Sequence, residues 1–81
     1  MAFPTPEQVR GWIAESFPCE ELKVTGDGQH FEALIVSERF AGLSRVARHK
    51  LVYRALGGRM HGDIHALSMR AMTPEEFGGQ D

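Results

Sequence analysis

Ser44 to Met69, SRVARHKLVYRALGGRMHGDIHALSM, carries a helix pattern and a strand pattern separated by glycines, and the order of those two elements decides the fold. Ser44 suits an N-cap, because its short hydroxyl side chain can accept from the amides of the first turn. Val46, His49, Tyr53 and Leu56 recur at i, i+3, i+7 and i+10, which predicts a buried helical face with His49 inside it. Arg48, Lys50 and Arg54 then project to the outer surface. Gly57-Gly58 supplies the stop, and Ile64 to Met72 predicts a strand with His65, Leu67, Met69 and Ala71 on one face.

Upstream, Thr5-Pro6-Glu7-Gln8 predicts a helix start: Thr5 caps, Pro6 fits the first helical position and Gln8 closes a capping box. Val9, Trp12, Ile13 and Phe17 follow at helical spacing, and Pro18 ends the run. Trp12 reads as packing. Leu22 to Thr25 and His30 to Ser37 read as two strands joined by the hairpin loop Gly26-Asp27-Gly28-Gln29. Alternation puts Phe31, Ala33 and Ile35 on one face of the second strand, with His30 at the mouth of the hairpin.

Downstream, Thr73-Pro74-Glu75-Glu76 repeats the cap, proline and acid pattern and predicts a short last helix. Residues 78–81 are expected to fray. The order is helix, strand, strand, helix, strand, helix over one domain, residues 1–81. The expected fold class is α+β, a small three-stranded mixed sheet covered by helices on one face.

Eighty-one residues support one compact core. The single cysteine, Cys19, forbids an internal disulfide, and no basic-then-apolar leader or long apolar run is present, so a cytoplasmic protein that does not enter membranes is expected. The net charge of −2 hides a segregation: between Arg39 and Arg59 lie six of the nine Lys and Arg residues and no acid, so the remainder of the chain carries −8. Such an asymmetry points to an anionic partner, either nucleic acid or an acidic protein, met by Arg45, Arg48, Lys50, Arg54 and Arg59.

Other chemistry is disfavoured residue by residue. His61 and His65 are four apart, but Gly57, Gly58 and Gly62 break the helix that a zinc pair at that spacing needs. Cys19 precedes Glu20 and Glu21, whose charge opposes a reactive thiolate. His49, between Val46 and Tyr53, reads as structural or interfacial, hydrogen-bonded to a neighbouring element. Met69 reads as core filler and Met60 as part of a partner surface. No nucleophile and base pair, paired carboxylates or phosphate-cradling glycine loop stands out, so an enzyme is not expected.

Several short motifs in fixed order resemble the BolA family, in particular its short IbaG-like branch. They are Val24 to Phe31 (VTGDGQHF), Val36 to Val46 (VSERFAGLSRV), Arg48 to Tyr53 (RHKLVY), Ile64 to Ser68 (IHALS) and Thr73 to Phe77 (TPEEF). The resemblance covers nearly the whole chain. It implies a fold similar to a type II KH domain and a partnership with monothiol glutaredoxins, in which a [2Fe-2S] cluster is bridged between the two proteins with glutathione. By the same resemblance His65, which precedes Ala-Leu at the last strand, is a cluster ligand. The second family ligand comes from the first hairpin; longer members have a histidine or cysteine where this chain has Asp27 and Gly28, which leaves His30 as the imidazole of that region. The isolated chain is expected to hold no cluster and to be a monomer or weak homodimer.

Part of the family has been linked to transcriptional regulation, and the basic helix 44–57 fits a KH-like DNA-binding alternative. A KH domain clamps the nucleic-acid backbone with a Gly-x-x-Gly loop. The chain has none, since Gly26 and Gly28 are separated by one residue and Gly58 and Gly62 by three.

Overall fold

The computed structural model describes residues 4–27, 30–59 and 67–79. His65 therefore lies outside the described residues, as do Gly28, Gln29, Met60, His61 and the 64–66 portion of the expected third strand.

Helix α1, Pro6–Ser16, begins as its first residues dictate: the Gln8 amide donates to Thr5 Oγ1 (3.1 Å) and the Thr5 amide to Gln8 Oε1 (2.9 Å). These reciprocal bonds satisfy two of the amides that a helix start leaves without partners. Val9 and Ile13 are fully buried, and Phe17 closes the helix in an extended conformation ahead of Pro18. Trp12 is only half-buried, with the Arg59 guanidinium 5.3 Å from its ring centroid.

Strands β1 (Glu21–Gly26) and β2 (Phe31–Val36) pair antiparallel from Glu21 opposite Val36 to Gly26 opposite Phe31. The turn between them is held by the His30 amide, which donates to Asp27 Oδ1 at 2.9 Å, and by the Asp27 amide, which donates to the His30 carbonyl at 3.2 Å. Gly26 is required here: a Cβ on it would collide with the His30 carbonyl oxygen and come within 2.8 Å of the Phe31 ring.

Ser37 does not extend β2, as the sequence pattern suggested. Its hydroxyl donates to the Pro18 carbonyl (2.6 Å) and accepts from the Arg39 amide, opening a 3₁₀ turn at Glu38–Phe40. That turn buries Phe40 completely, with its ring edge-on to Phe17 at 5.7 Å. Helix α2, Arg45–Leu56, follows, capped by Ser44 Oγ on the Ala47 amide and stopped at Gly57, whose φ of +59° favours glycine. Strand β3, Leu67–Met72, pairs parallel to β2 from Phe31 opposite Leu67 to Val36 opposite Met72, giving sheet order β1-β2-β3. Helix α3, Pro74–Gly78, starts from a second capping box, Thr73 with Glu76. Gly78 ends it, and the Gly79 amide bonds back to the Glu75 carbonyl.

One face of the sheet holds Leu22, Val24, Phe31, Ala33, Ile35, Leu67 and Met69, and it packs against α1 and α2. The α+β class, mixed sheet and one-sided helical cover are as the sequence predicted. The inward face of α2 is not. Val46 is 63% exposed, while Val52 and Leu56 are buried, flanked by half-buried Leu51 and Ala55. Two apolar series interleave in this helix and both end at Leu56. Periodicity alone cannot choose between them; packing against the sheet selects 52 and 56, each contributing about 1.5–3 kcal/mol of burial.

Candidate functional site

Arg48 occupies the inward series at i−4 from Val52, and its side chain is only 14% exposed. This corrects its assignment to the outer, partner-facing surface. Its Nε donates to the Leu43 carbonyl (3.0 Å), its Nη1 to the Ala71 carbonyl (3.0 Å), and its guanidinium forms a two-point pair with Glu76 at 2.6 and 3.1 Å. A guanidinium has five donors in a planar fork, which is why one side chain can tie a loop, a strand end and a helix together. The bonds from Arg48, and then the Thr73 amide, hold the Glu76 carboxyl at about 2. The same hydrogen bond raises the Arg48 pKa above its usual value.

The remaining basic residues do not make one stripe. Arg45, Lys50 and Arg54 are exposed, but at 100° per residue Lys50 is about 140° around the helix from Arg45, while Lys50 and Arg54 are neighbours one turn apart. Arg59 is exposed and lies against Trp12. His49 is half-buried; its aromatic contact is Tyr53 on the same helix, edge-on at 6.4 Å, rather than a neighbouring element. Cys19 is half-buried with Sγ 3.6 Å from the Phe17 carbonyl, and burial pushes its thiol up, away from thiolate chemistry.

The candidate ligand region is at the opposite end of the sheet from Glu76. His30 is exposed, and its Nε2 is 3.3 Å from Ser68 Oγ across the β2–β3 junction. Phe31, one residue after His30, sits directly opposite Leu67, two residues after His65 in the chain. The parallel register thus brings the start of β3 beside the start of β2, at the His30 end of the sheet. An exposed imidazole with one ring nitrogen held by a hydroxyl suits a metal ligand, since ligating histidines are commonly oriented by a hydrogen bond at the other nitrogen. Among the described residues no group of three His, Cys, Asp or Glu side chains could hold a metal ion.

A concavity of about 670 Å³ lies between α2, β3 and α3. Leu43, Arg45, Arg48, His49, Met69, Arg70 and Glu76 line it. Arg70 was not legible in the sequence because it is the single cation of β3, with no charged residue adjacent to it in the chain.

The chain matches the family of BolA-like proteins over residues 14–76. It is 46% identical over 75 residues to the DNA-binding transcriptional regulator BolA of Vibrio cholerae, spanning 80% of this chain and 71% of that one. It is 35% identical over 71 residues to acid stress protein IbaG of Escherichia coli, spanning 86% and 84%. BolA-like protein 1 of Homo sapiens is 44% identical over 52 residues, but the match spans only 38% of that protein's length. Among solved structures, a bolA homologue from Coxiella burnetii superposes with a TM-score of 0.76 at 40% identity, covering 94% of this chain and 99% of that one. A bol-like protein from Babesia bovis gives 0.83 at 31%, covering 95% and 93%. The protein belongs to the BolA family. Its bacterial relatives are named as a regulator and a stress protein rather than as enzymes, and no helix among the described residues is long and apolar enough to cross a membrane.

Proposed function

We infer that the protein is an IbaG-like adaptor for iron-sulfur cluster trafficking or iron regulation. It pairs with a monothiol glutaredoxin, and His65 and His30 are its ligands to a [2Fe-2S] cluster bridged with glutathione. The observation that carries this reading is the β2–β3 register, which sets Phe31 against Leu67 and so brings the chain next to both histidines to the same end of the sheet. Family membership supports it. The cluster is cargo, and imidazole suits cargo: a neutral nitrogen ligand raises the cluster potential relative to thiolate, as in Rieske centres, and it must be deprotonated to bind, which makes the link sensitive to pH. Ser68 orients the His30 ring.

The test is a titration of the protein into a glutathione-loaded [2Fe-2S] glutaredoxin homodimer, followed by visible circular dichroism, with His65→Ala and His30→Ala in parallel. A new spectrum that His65→Ala removes assigns His65, and its loss in His30→Ala as well assigns both. An unchanged spectrum of the mixed complex in His65→Ala overturns the ligand assignment.

The name of the Vibrio cholerae relative favours a second reading, DNA binding. Exposed Lys50 and Arg54 are the neighbouring cations of α2 that would meet phosphates. A DNA-binding isotherm whose slope against salt is near zero removes that reading.

A further inference from the structure

The cleft between α2, β3 and α3 runs along β3 from Met69 toward Glu76, away from the His30 end of the sheet. Among the described residues its lining includes the Arg45, Arg48 and Arg70 guanidiniums, the His49 ring and the Glu76 carboxylate, which is paired with Arg48. Strand β3 runs along it. Because β3 is the last strand of the sheet, only one of its edges pairs with β2.

The direction of its peptide groups follows from two hydrogen bonds. The Ser37 amide donates to the Met72 carbonyl at 2.9 Å, so that carbonyl faces the β2 side. The Ala71 carbonyl instead accepts from Arg48 Nη1 at 3.0 Å and faces the outer edge. Backbone groups alternate along a strand, so the amide and carbonyl of Met69 also face outward, into the cleft that Met69 helps to line. Arg48 thus closes the Ala71 end of the edge, a device that protects edge strands, and leaves the Met69 end facing the cleft.

We propose that this cleft binds an extended acidic peptide segment, which adds as a short strand beside Met69 and sets its carboxylates against Arg45, with Arg70 and His49 on either side. Main-chain bonds to a sheet edge supply affinity in this mode of recognition, and the flanking side chains supply specificity. Charge complementarity selects the occupant, and a volume near 670 Å³ suits a short peptide segment. Nucleic acid fits less well. A duplex is read by a protein element that enters its groove, whereas this site is concave; a single strand is held by stacking on aromatic platforms, and among the described lining residues the one ring is His49, itself half-buried against Tyr53.

The test titrates ¹⁵N-labelled protein with a hexapeptide alternating aspartate and valine, with a neutral serine and valine counterpart, and with hexathymidylate. Arg45→Glu is compared with Lys50→Glu, which makes the same charge change on the far side of α2. Both positions are exposed, and Arg45→Gln repeats the test should the charge reversal disturb the fold. The acidic peptide is expected to shift the Met69 and Ala71 amides and to lose about tenfold in affinity with Arg45→Glu, against less than about threefold with Lys50→Glu. The neutral peptide is expected not to bind. Equal losses in both variants, shifts centred away from β3, or tighter binding of hexathymidylate overturn the proposal. No glutaredoxin or iron enters the experiment, so its outcome is independent of the cluster reading.

Discussion

Arg48 shows how one side chain can join parts of a chain that are distant in sequence. Its partners, Leu43, Ala71 and Glu76, come from the loop before α2, the end of β3 and α3. Because the folded-state pKa of Glu76 is about 2, below the ordinary carboxylate value near 4.3, its contribution to stability is complete above that ordinary value and is lost as pH falls from there through about 2. Thermal melts from pH 7 to pH 2 should therefore show a smaller loss of Tm below pH 4.5 in Glu76→Gln than in the unaltered protein, together with a lower Tm at pH 7. Equal acid sensitivity would mean that other carboxylates dominate. At the same scale, Leu56 is 1% and Val46 63% exposed, although both belong to the apolar series read from the sequence. Leu56→Ala should cost about 2–5 kcal/mol in urea unfolding and Val46→Ala no more than about 0.5 kcal/mol. Comparable costs would place α2 in the orientation that the sequence suggested.

Among the elements, those specified by adjacent residues were legible in the sequence. Thr5 with Gln8 and Thr73 with Glu76 form the capping boxes expected of them, because a cap is a contact across three residues and needs nothing from the rest of the fold. Elements whose ends depend on distant partners were less so. Ser37 reads as a strand residue but is drawn into a 3₁₀ turn by the Pro18 carbonyl, nineteen positions away. The hairpin supplies an element-level prediction. Since a Cβ at position 26 meets the His30 backbone and the Phe31 ring, Gly26→Ala should destabilise the protein by about 1–3 kcal/mol and should shift the amide resonances of His30 and Phe31 more than those of β3. A neutral effect would show that the hairpin can open at no cost. The hairpin end belongs to this scale as well: the motifs around His30 and His65 were visible, but that Leu67 starts β3 directly beside Phe31 is a consequence of the parallel β2–β3 register.

For the molecule as a whole, the charge separation is the property most relevant to a partner. Six cations and no acid lie between residues 39 and 59, and the rest of the chain carries −8. The fold redistributes this charge: Arg48 is used internally, Arg45 opens on the α2–β3 cleft, and Lys50 with Arg54 lies elsewhere on α2. Association with the proposed glutaredoxin partner should accordingly be steered by charge, its rate constant falling about tenfold between 20 and 500 mM salt while the dissociation rate changes little. Stopped-flow mixing measures both, and a salt-independent association rate would rule steering out.

The sequence by itself determined the element order, the caps, the glycine at the hairpin, the family and the histidines worth testing, because each is written in residues adjacent in the chain or in a period of two or 3.6. Tertiary structure decided which of two overlapping apolar series α2 buries, that Arg48 turns inward to Glu76, and that Arg45, His49, Met69 and Arg70 share a cleft. Those outcomes depend on distances between residues remote in sequence, and such distances are set only when the helices pack on the sheet and β3 takes its register beside β2.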